Sequence, residues 1–457
     1  MTGDAIRGDS RTSDANGGGT TGGVPPVALA VDAVLSELNE AQASLLLDRR
    51  PGNEGELRGQ VAGILDDVRS RGDEALREMA RRYDGVELDE LEIPRERWKE
   101  ALDAMDPEVR RALEQAARNV EIFHEAQVPD RVEVTVSEGV TLGRDTVPLS
   151  RAGVYVPGGR AAYPSSVVMG VVPARAAGVR EIVVCSPPGP DGLPPDAVLA
   201  ACAISGADRL FAVGGAGAVG AMAFGTESVP RVDVVVGPGN RWVTEAKRQI
   251  AGEVPIDGPA GPSEVLVVAE EGAADAVPIA VELVAQAEHD PDAAVALVTP
   301  SDALLENVRV ALAREVEATP RRSVVEDALR ANGALLLARD LAEALAFAED
   351  YAPEHLALYT RNPRRDLGAV RSAGTVFLGQ PATVAFGDYI TGANHVLPTA
   401  GRARSFSGLS TEHFLRSFTW QEVTTEGARR LSDPVRRLAE AEGLPAHARA
   451  AELREDS

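Results

Sequence analysis

The chain has 457 residues, 44% of them hydrophobic and 25% charged, a globular balance with length for about three domains or two large ones. Its 70 acidic residues outnumber 46 basic ones, and the resulting net charge of −24 argues against nucleic acid or an anionic membrane surface as partner. Cys185 and Cys202 are the only cysteines and both lie in apolar runs, which excludes a disulfide scaffold or thiolate metal site and suits a reducing cytoplasm.

Residues 1–24 contain seven Gly and almost no large apolar side chain, so a flexible tail is expected there. Neither a secretion signal nor an apolar run of roughly 18 residues is found, and the expected location is cytoplasmic. Residues 25–150 read as a helical N-terminal region, helical to about Ala126 and then extended through the alternating run at 131–149, packing on the second of two α/β units. The first unit, 151–260, alternates short β-rich runs (GVYV, EIVVCS, RLFAV, VDVVV) with helical ones. The second, 261–398, does so again from PSEVLVVAE through AVALVTP and LALYT to TVFLG. Such repeats make right-handed crossovers and mostly parallel sheets. Residues 399–457 read as a helical tail, with Asp433 capping a helix that has Pro434 at its first position and Pro445 interrupting it before His447. That tail has too little apolar surface to stand alone.

Ligands of open α/β sheets sit at the carboxyl ends of strands. Two glycine turns follow strands there, Pro157-Gly158-Gly159 and Gly237-Pro238-Gly239-Asn240; each is either a tight turn or a place where a phosphate meets backbone amides. A formal G-x-G-x-x-G runs from Gly215 to Gly220, but its acidic partner, Asp233, falls at the start of a strand, and the match is weak. Five of the six histidines fall between residues 289 and 447. Gln286 and His289, three apart near a helix end, share a face, as two ligands of one metal would or as two surface residues do. Glu354-His355 precedes a strand, where one residue could act as acid or base while the other orients water. The loop 387–395 brings Asp388, Asn394 and His395 together, and Glu442 and His447 lie in the tail, where a solvated helix face is the plain alternative. Gln, His and Asp without cysteine suit zinc or a neighbouring divalent ion.

Taken in order, Tyr155-Val156-Pro157-Gly158-Gly159, FGTESVP at 224–230, GPGN at 237–240, VTEAKRQ at 243–249, DGPAGPSEVLV at 257–267, QAEHD, APEHL and GDYITGANHVLPT resemble histidinol dehydrogenases from about residue 30 onward. The resemblance implies two incomplete Rossmann-like units and a zinc-dependent homodimer with shared active sites. It also implies oxidation of L-histidinol to L-histidine in two NAD-dependent steps through L-histidinaldehyde, the last reactions of histidine biosynthesis. By the same resemblance, zinc would be held by Gln286, His289, Asp388 and His447, the last reaching a partner subunit's site. Glu354 and His355 would be catalytic, Tyr155 and Asn240 would touch the cofactor, and Ser263 and Glu442 would join the zinc ligands and His355 in binding substrate. Gly217 departs from the pattern, standing where many relatives carry an amide that touches the dinucleotide. His355 is expected to be the base in both oxidations and Glu354 to activate water for the second, with zinc holding the substrate's imidazole and amino nitrogen. The rivals are a same-fold dehydrogenase of another polar alcohol, such as a sulfonated diol, and a non-catalytic nucleotide- or metal-binding protein.

Overall fold

The computed structural model describes residues 26–49, 55–158, 162–259 and 261–454; the expected N-terminal tail and Gly159 lie outside these. In chain order the strands are β1 (Val31–Val34), β2 (Val132–Ser137), β3 (Val140–Pro148), β4 (Arg151–Tyr155), β5 (Glu181–Ser186), β6 (Arg209–Ala212) and β7 (Val234–Val236). They continue with β8 (Glu264–Ala269), β9 (Ala294–Thr299), β10 (Gly333–Leu337), β11 (His355–Tyr359), β12 (Thr375–Leu378) and β13 (Leu415–Val423).

Two parallel sheets dominate, one in the order β6-β5-β4-β7 and one in the order β1-β10-β9-β8-β11-β12. Their strands are short unbroken apolar runs because both faces are covered by helices. Alternate residues feed opposite cores: Val154, Ile182 and Val184 pack on one side of the smaller sheet, Tyr155, Val183 and Cys185 on the other. In the larger sheet Val265, Val267 and Leu297 face one core, and Leu266, Val268 and Val298 the other. Each such fully buried Val or Leu contributes about 1.5–3 kcal/mol. A crossover helix runs antiparallel to the strands it joins, so its N-terminus lies at their carboxyl edge and its C-terminus at their amino edge.

The expected pair of α/β units with mostly parallel sheets is present; three strands were not foreseen. The four residues of β1, inside the span read as helical, close one edge of the larger sheet by pairing with β10. The run GALLL of β10 is too short and uniformly apolar to show a period. Nine residues of the expected helical tail form β13, antiparallel to β3 in the sheet β13-β3-β2. The N-terminal region also divides: β1 joins the larger sheet, whereas helix Gly55–Arg71 packs on helices Gly215–Phe224 and Arg241–Ile250 of the smaller unit. The last long helix, Thr425–Ala441, starts at Thr424, whose hydroxyl accepts the Gly427 N–H at 3.2 Å, and runs through Pro434. Asp433 therefore does not cap it and pairs instead with Arg436 and Arg437. Among the described residues, no helix is long and apolar enough to cross a membrane.

Candidate active site

At the carboxyl edge of the smaller sheet, Tyr155 ends β4 and is buried; its hydroxyl accepts the N–H of Gly215 at 3.2 Å. Burial, outweighing that hydrogen bond, pushes the phenol up to about 12. After β7 the chain turns at Gly237, φ 117°, where a Cβ would stand 2.1 Å from the Tyr155 carbonyl oxygen. A buried ion pair, Lys247 with Asp257, grips this turn from both sides. Asp257 accepts the Gly237 N–H at 2.8 Å and Lys247 donates to the Gly237 carbonyl at 2.9 Å. Asn240 caps the next helix, its side-chain oxygen accepting Trp242 N–H at 3.0 Å and Val243 N–H at 3.2 Å. The cap leaves the exposed amide NH₂ as the group with which Asn240 can donate to a ligand. Gly217 is buried within helix Gly215–Phe224, and a Cβ there would meet Met79 Sδ at 2.9 Å. It offers a ligand no polar side-chain group, and the G-x-G-x-x-G containing it forms the first six residues of that helix, where the Gly215 N–H is taken by the Tyr155 hydroxyl. Asp233 accepts the N–H groups of Ser150 and Arg151 at 2.9 Å each, at the opposite edge of the sheet.

In the larger sheet the chemistry-bearing residues gather at the amino edge, not the carboxyl edge where such ligands are expected. His355 opens β11, Glu354 precedes it, and Ser263 precedes the neighbouring β8. Gln286, buried, lies on the last turn of helix Ala276–Ala287, with exposed His289 just beyond. The negative end of that helix dipole faces this edge and favours a cation. Buried Glu282, one turn earlier, accepts Val384 N–H at 2.7 Å and the Tyr359 hydroxyl at 3.0 Å. It thereby ties the helix bearing Gln286 to helix Val384–Tyr389, which bears Asp388.

His355 and Glu354 are both buried. His355 Nδ1 lies 2.8 Å from the carbonyl oxygen of Glu264, which can only accept, so Nδ1 carries the proton and Nε2 is the basic nitrogen. That Nε2 makes no hydrogen bond among the described residues; Asp388 Oδ1 stands 3.6 Å away. Glu354 Oε2 is 3.5 Å from His355 Nδ1 and accepts the Glu264 N–H at 2.7 Å. Burial raises the Glu354 carboxyl above its ordinary value. Burial would lower His355, but Glu354 and Asp388 outweigh it and hold the imidazole well above its usual value. Burial would raise Asp388, yet His355, with His395 and His289, holds it below the ordinary carboxyl. His395 donates from Nδ1 to the Asp388 carbonyl at 2.8 Å and is pulled below the usual imidazole value by burial. Asn394 in the same loop donates to Met169 O at 2.8 Å, fastening this edge to helix Pro164–Ala176 of the smaller unit.

Glu442 and His447 do not join this group within one chain. Both are exposed, Glu442 at the C-terminal end of helix Thr425–Ala441 and His447 in helix Pro445–Glu452, which packs on it. Among the described residues of one chain, no three His, Cys, Asp or Glu side chains form a group that could hold a metal ion.

A family model described as histidinol dehydrogenase matches residues 47–455. The chain is also 47% identical to the histidinol dehydrogenase of Methanothermobacter thermautotrophicus over 414 residues, 91% of this chain and 97% of that one. The chain belongs to the histidinol dehydrogenase family. The histidinol dehydrogenase of Halobacterium salinarum is 47% identical over 423 residues, 91% of this chain and 98% of its own. The crystal structure of histidinol dehydrogenase from Elizabethkingia anophelis superposes with a TM-score of 0.89 at 33% identity, covering 94% of this chain and 98% of that one. Family membership makes the chain an oxidoreductase of histidine biosynthesis, as its motifs implied. The contacts that motif reading missed are Glu264, Glu282 and the Lys247–Asp257 pair. All of these residues but Glu282 lie inside quoted motifs, where residue order does not show which side chains pair.

Proposed function

We propose that the chain oxidises L-histidinol to L-histidine in two successive NAD-dependent steps through L-histidinaldehyde. The observation that carries this reading is His355 Nε2, a buried basic nitrogen without a hydrogen-bond partner among the described residues, beside Glu354 and Asp388. In the first oxidation His355 Nε2 takes the hydroxyl proton as the carbinol hydride leaves. In the second, Glu354 accepts a proton from the water that adds to the aldehyde, and His355 takes the hydroxyl proton of the hydrate, leaving a carboxylate. Bound NAD supplies the hydride acceptor in each step. For this dinucleotide the turns at Tyr155–Gly158 and Gly237–Asn240 offer backbone amides and helix N-termini, a local answer to the overall negative charge.

Gln286, His289 and Asp388 supply nitrogen and oxygen donors suited to zinc, and the helix C-terminus beside them favours a cation. One chain does not complete the set; His447 from a second copy would. Zinc held there would fix the imidazole and amino nitrogen of the substrate. Ser263, Glu442 and His355 are assigned to substrate contacts on the same reading. The dimer this requires is supported by the tail: Leu431, Val435 and Leu438 form an exposed apolar stripe on its long helix, and Val132, Val134 and Val136 are exposed along edge strand β2. Burial of such a stripe by a second chain would bring the tail to a neighbouring site.

A substrate panel tests the reading. NADH should form from L-histidinol and stop with chelator, whereas turnover of a sulfonated diol alone would move the chain to another substrate. Mixing inactive His355→Ala and His447→Ala subunits should restore partial activity; no recovery after demonstrated subunit exchange would refute the shared site.

A further inference from the structure

Beneath Glu354 and His355 lies a second buried ion pair. Arg49, just beyond helix Glu40–Leu47, reaches the amino edge of the larger sheet, placing Nε 2.9 Å from Glu264 Oε1 and Nη2 3.2 Å from Oε2. Their side chains are only 9% and 4% exposed. The guanidinium also donates to the Tyr351 carbonyl at 2.8 Å and stacks 3.5 Å above the Tyr351 ring centroid.

Glu264 in turn holds the dyad through side chain and backbone together. Its N–H donates to Glu354 Oε2 at 2.7 Å and its carbonyl accepts from His355 Nδ1 at 2.8 Å. Its carboxylate accepts the Glu354 N–H at 3.4 Å and the Ala400 N–H at 2.7 Å. Glu264 and Glu354 thus lock each other reciprocally, carboxylate to N–H, across neighbouring strands. Among the described residues, the non-glycine residues at positive φ are Ala352, at 49°, and Ala400, at 56°. Ala352 lies two residues before Glu354, and Ala400 is bonded to Glu264. Sparsely populated backbone conformations persist where surroundings over-determine them. Stability alone is a poor reason for the ion pair, since well-packed apolar residues often replace such pairs without loss. Fixing a proton acceptor within hydrogen-bond reach of a reacting group is a stronger one.

We propose that Arg49 and Glu264 are a positioning pair for proton transfer. The planar fork of Arg49 sets the Glu264 peptide, and that peptide sets the imidazole of His355 and the carboxylate of Glu354 for both oxidations. The proposal rests on the histidinol-oxidising reading, and the pair acts only through the dyad.

Arg49→Lys keeps the charge and loses the fork; Arg49→Met loses both. Each is assayed with L-histidinol and separately with L-histidinaldehyde, with thermal melting as the check on folding. In both half-reactions kcat should fall about tenfold in Arg49→Lys and further in Arg49→Met, with KM for substrate and NAD held within about threefold. The double variant Arg49→Met, Glu264→Gln should melt nearer the wild type than Arg49→Met does, without recovering kcat. Wild-type kcat in folded Arg49→Met, a loss carried by KM, or recovery of kcat in the double variant overturns the proposal. So does loss of folding in both single variants, which would make the pair a support of the domain. A wild-type chain inert toward L-histidinol overturns the functional reading and this proposal together, whereas an active wild type with unimpaired variants overturns this proposal alone.

Discussion

At the carboxyl edge of the smaller parallel sheet the polar groups on offer are mostly backbone: glycine turns, helix N-termini, of which Asn240 caps one, and one buried phenol. At the amino edge of the larger sheet they are ionisable side chains, Glu354, His355 and Asp388, with Gln286 and His289 at the end of a helix. Both edges rest on a buried ion pair, Lys247–Asp257 under the first and Arg49–Glu264 under the second. The difference follows from helix direction. Helix N-termini at a carboxyl edge present free N–H groups to anions, and helix C-termini at an amino edge present carbonyls that favour cations. In the proposed reaction a dinucleotide suits the first, and a metal ion with an amino-alcohol suits the second.

The comparison breaks most readily at His355. His355→Ala should lower kcat by about 10²–10⁴ in both half-reactions, and histidinaldehyde oxidation at the wild-type rate would remove the base from the amino edge. Glu354→Gln should lose mainly the aldehyde step, measured with histidinaldehyde as substrate. On the other side, Lys247→Met strands the buried Asp257 carboxylate, which costs about 3–5 kcal/mol and should appear as a large fall in melting temperature. An unchanged melting temperature would mean that the turn needs no such grip. Asn240 sharpens the contrast at smaller scale. Asn240→Ala removes a helix cap worth about 1 kcal/mol, whereas Asn240→Asp keeps the cap and loses the amide donor. A rise in KM for NAD in the Asp variant, with unchanged melting, places the anionic dinucleotide beside this side chain; equal KM values leave Asn240 as a cap alone. The smallest effect concerns pH. The neutral form of His355 is the base and Glu354 raises its imidazole, so kcat/KM for histidinol should rise with pH through the His355 midpoint. Glu354→Gln removes a charge that raises His355 and should move the midpoint down; an upward move would contradict the assignment.

The tandem units were legible because unbroken runs such as EIVVC and EVLVVA, bounded by helical segments, permit few topologies. The strands β1 and β10 were not, because four or five apolar residues carry no period of their own and are recruited by the sheet beside them. The alternation in LRSFTWQEV was readable in principle, but Arg-, Ala- and Glu-rich helices follow it and dominate a wider window. Glu354, His355 and Asp388 stood out through their motifs, and Glu354-His355 was legible as preceding its strand; that Asp388 meets them at that same amino edge was not, since residue order alone does not tell which elements fold beside one another. Arg49 could not be found from sequence: one of two adjacent arginines after a short helix gives no sign that its partner lies 215 residues away.

The most direct test of one dyad serving two oxidations is the amount of NADH formed per L-histidinol consumed to completion at limiting substrate. Two equivalents, with L-histidine as product and no free aldehyde accumulating, is the expected result. One equivalent with histidinaldehyde released, or none, would contradict it.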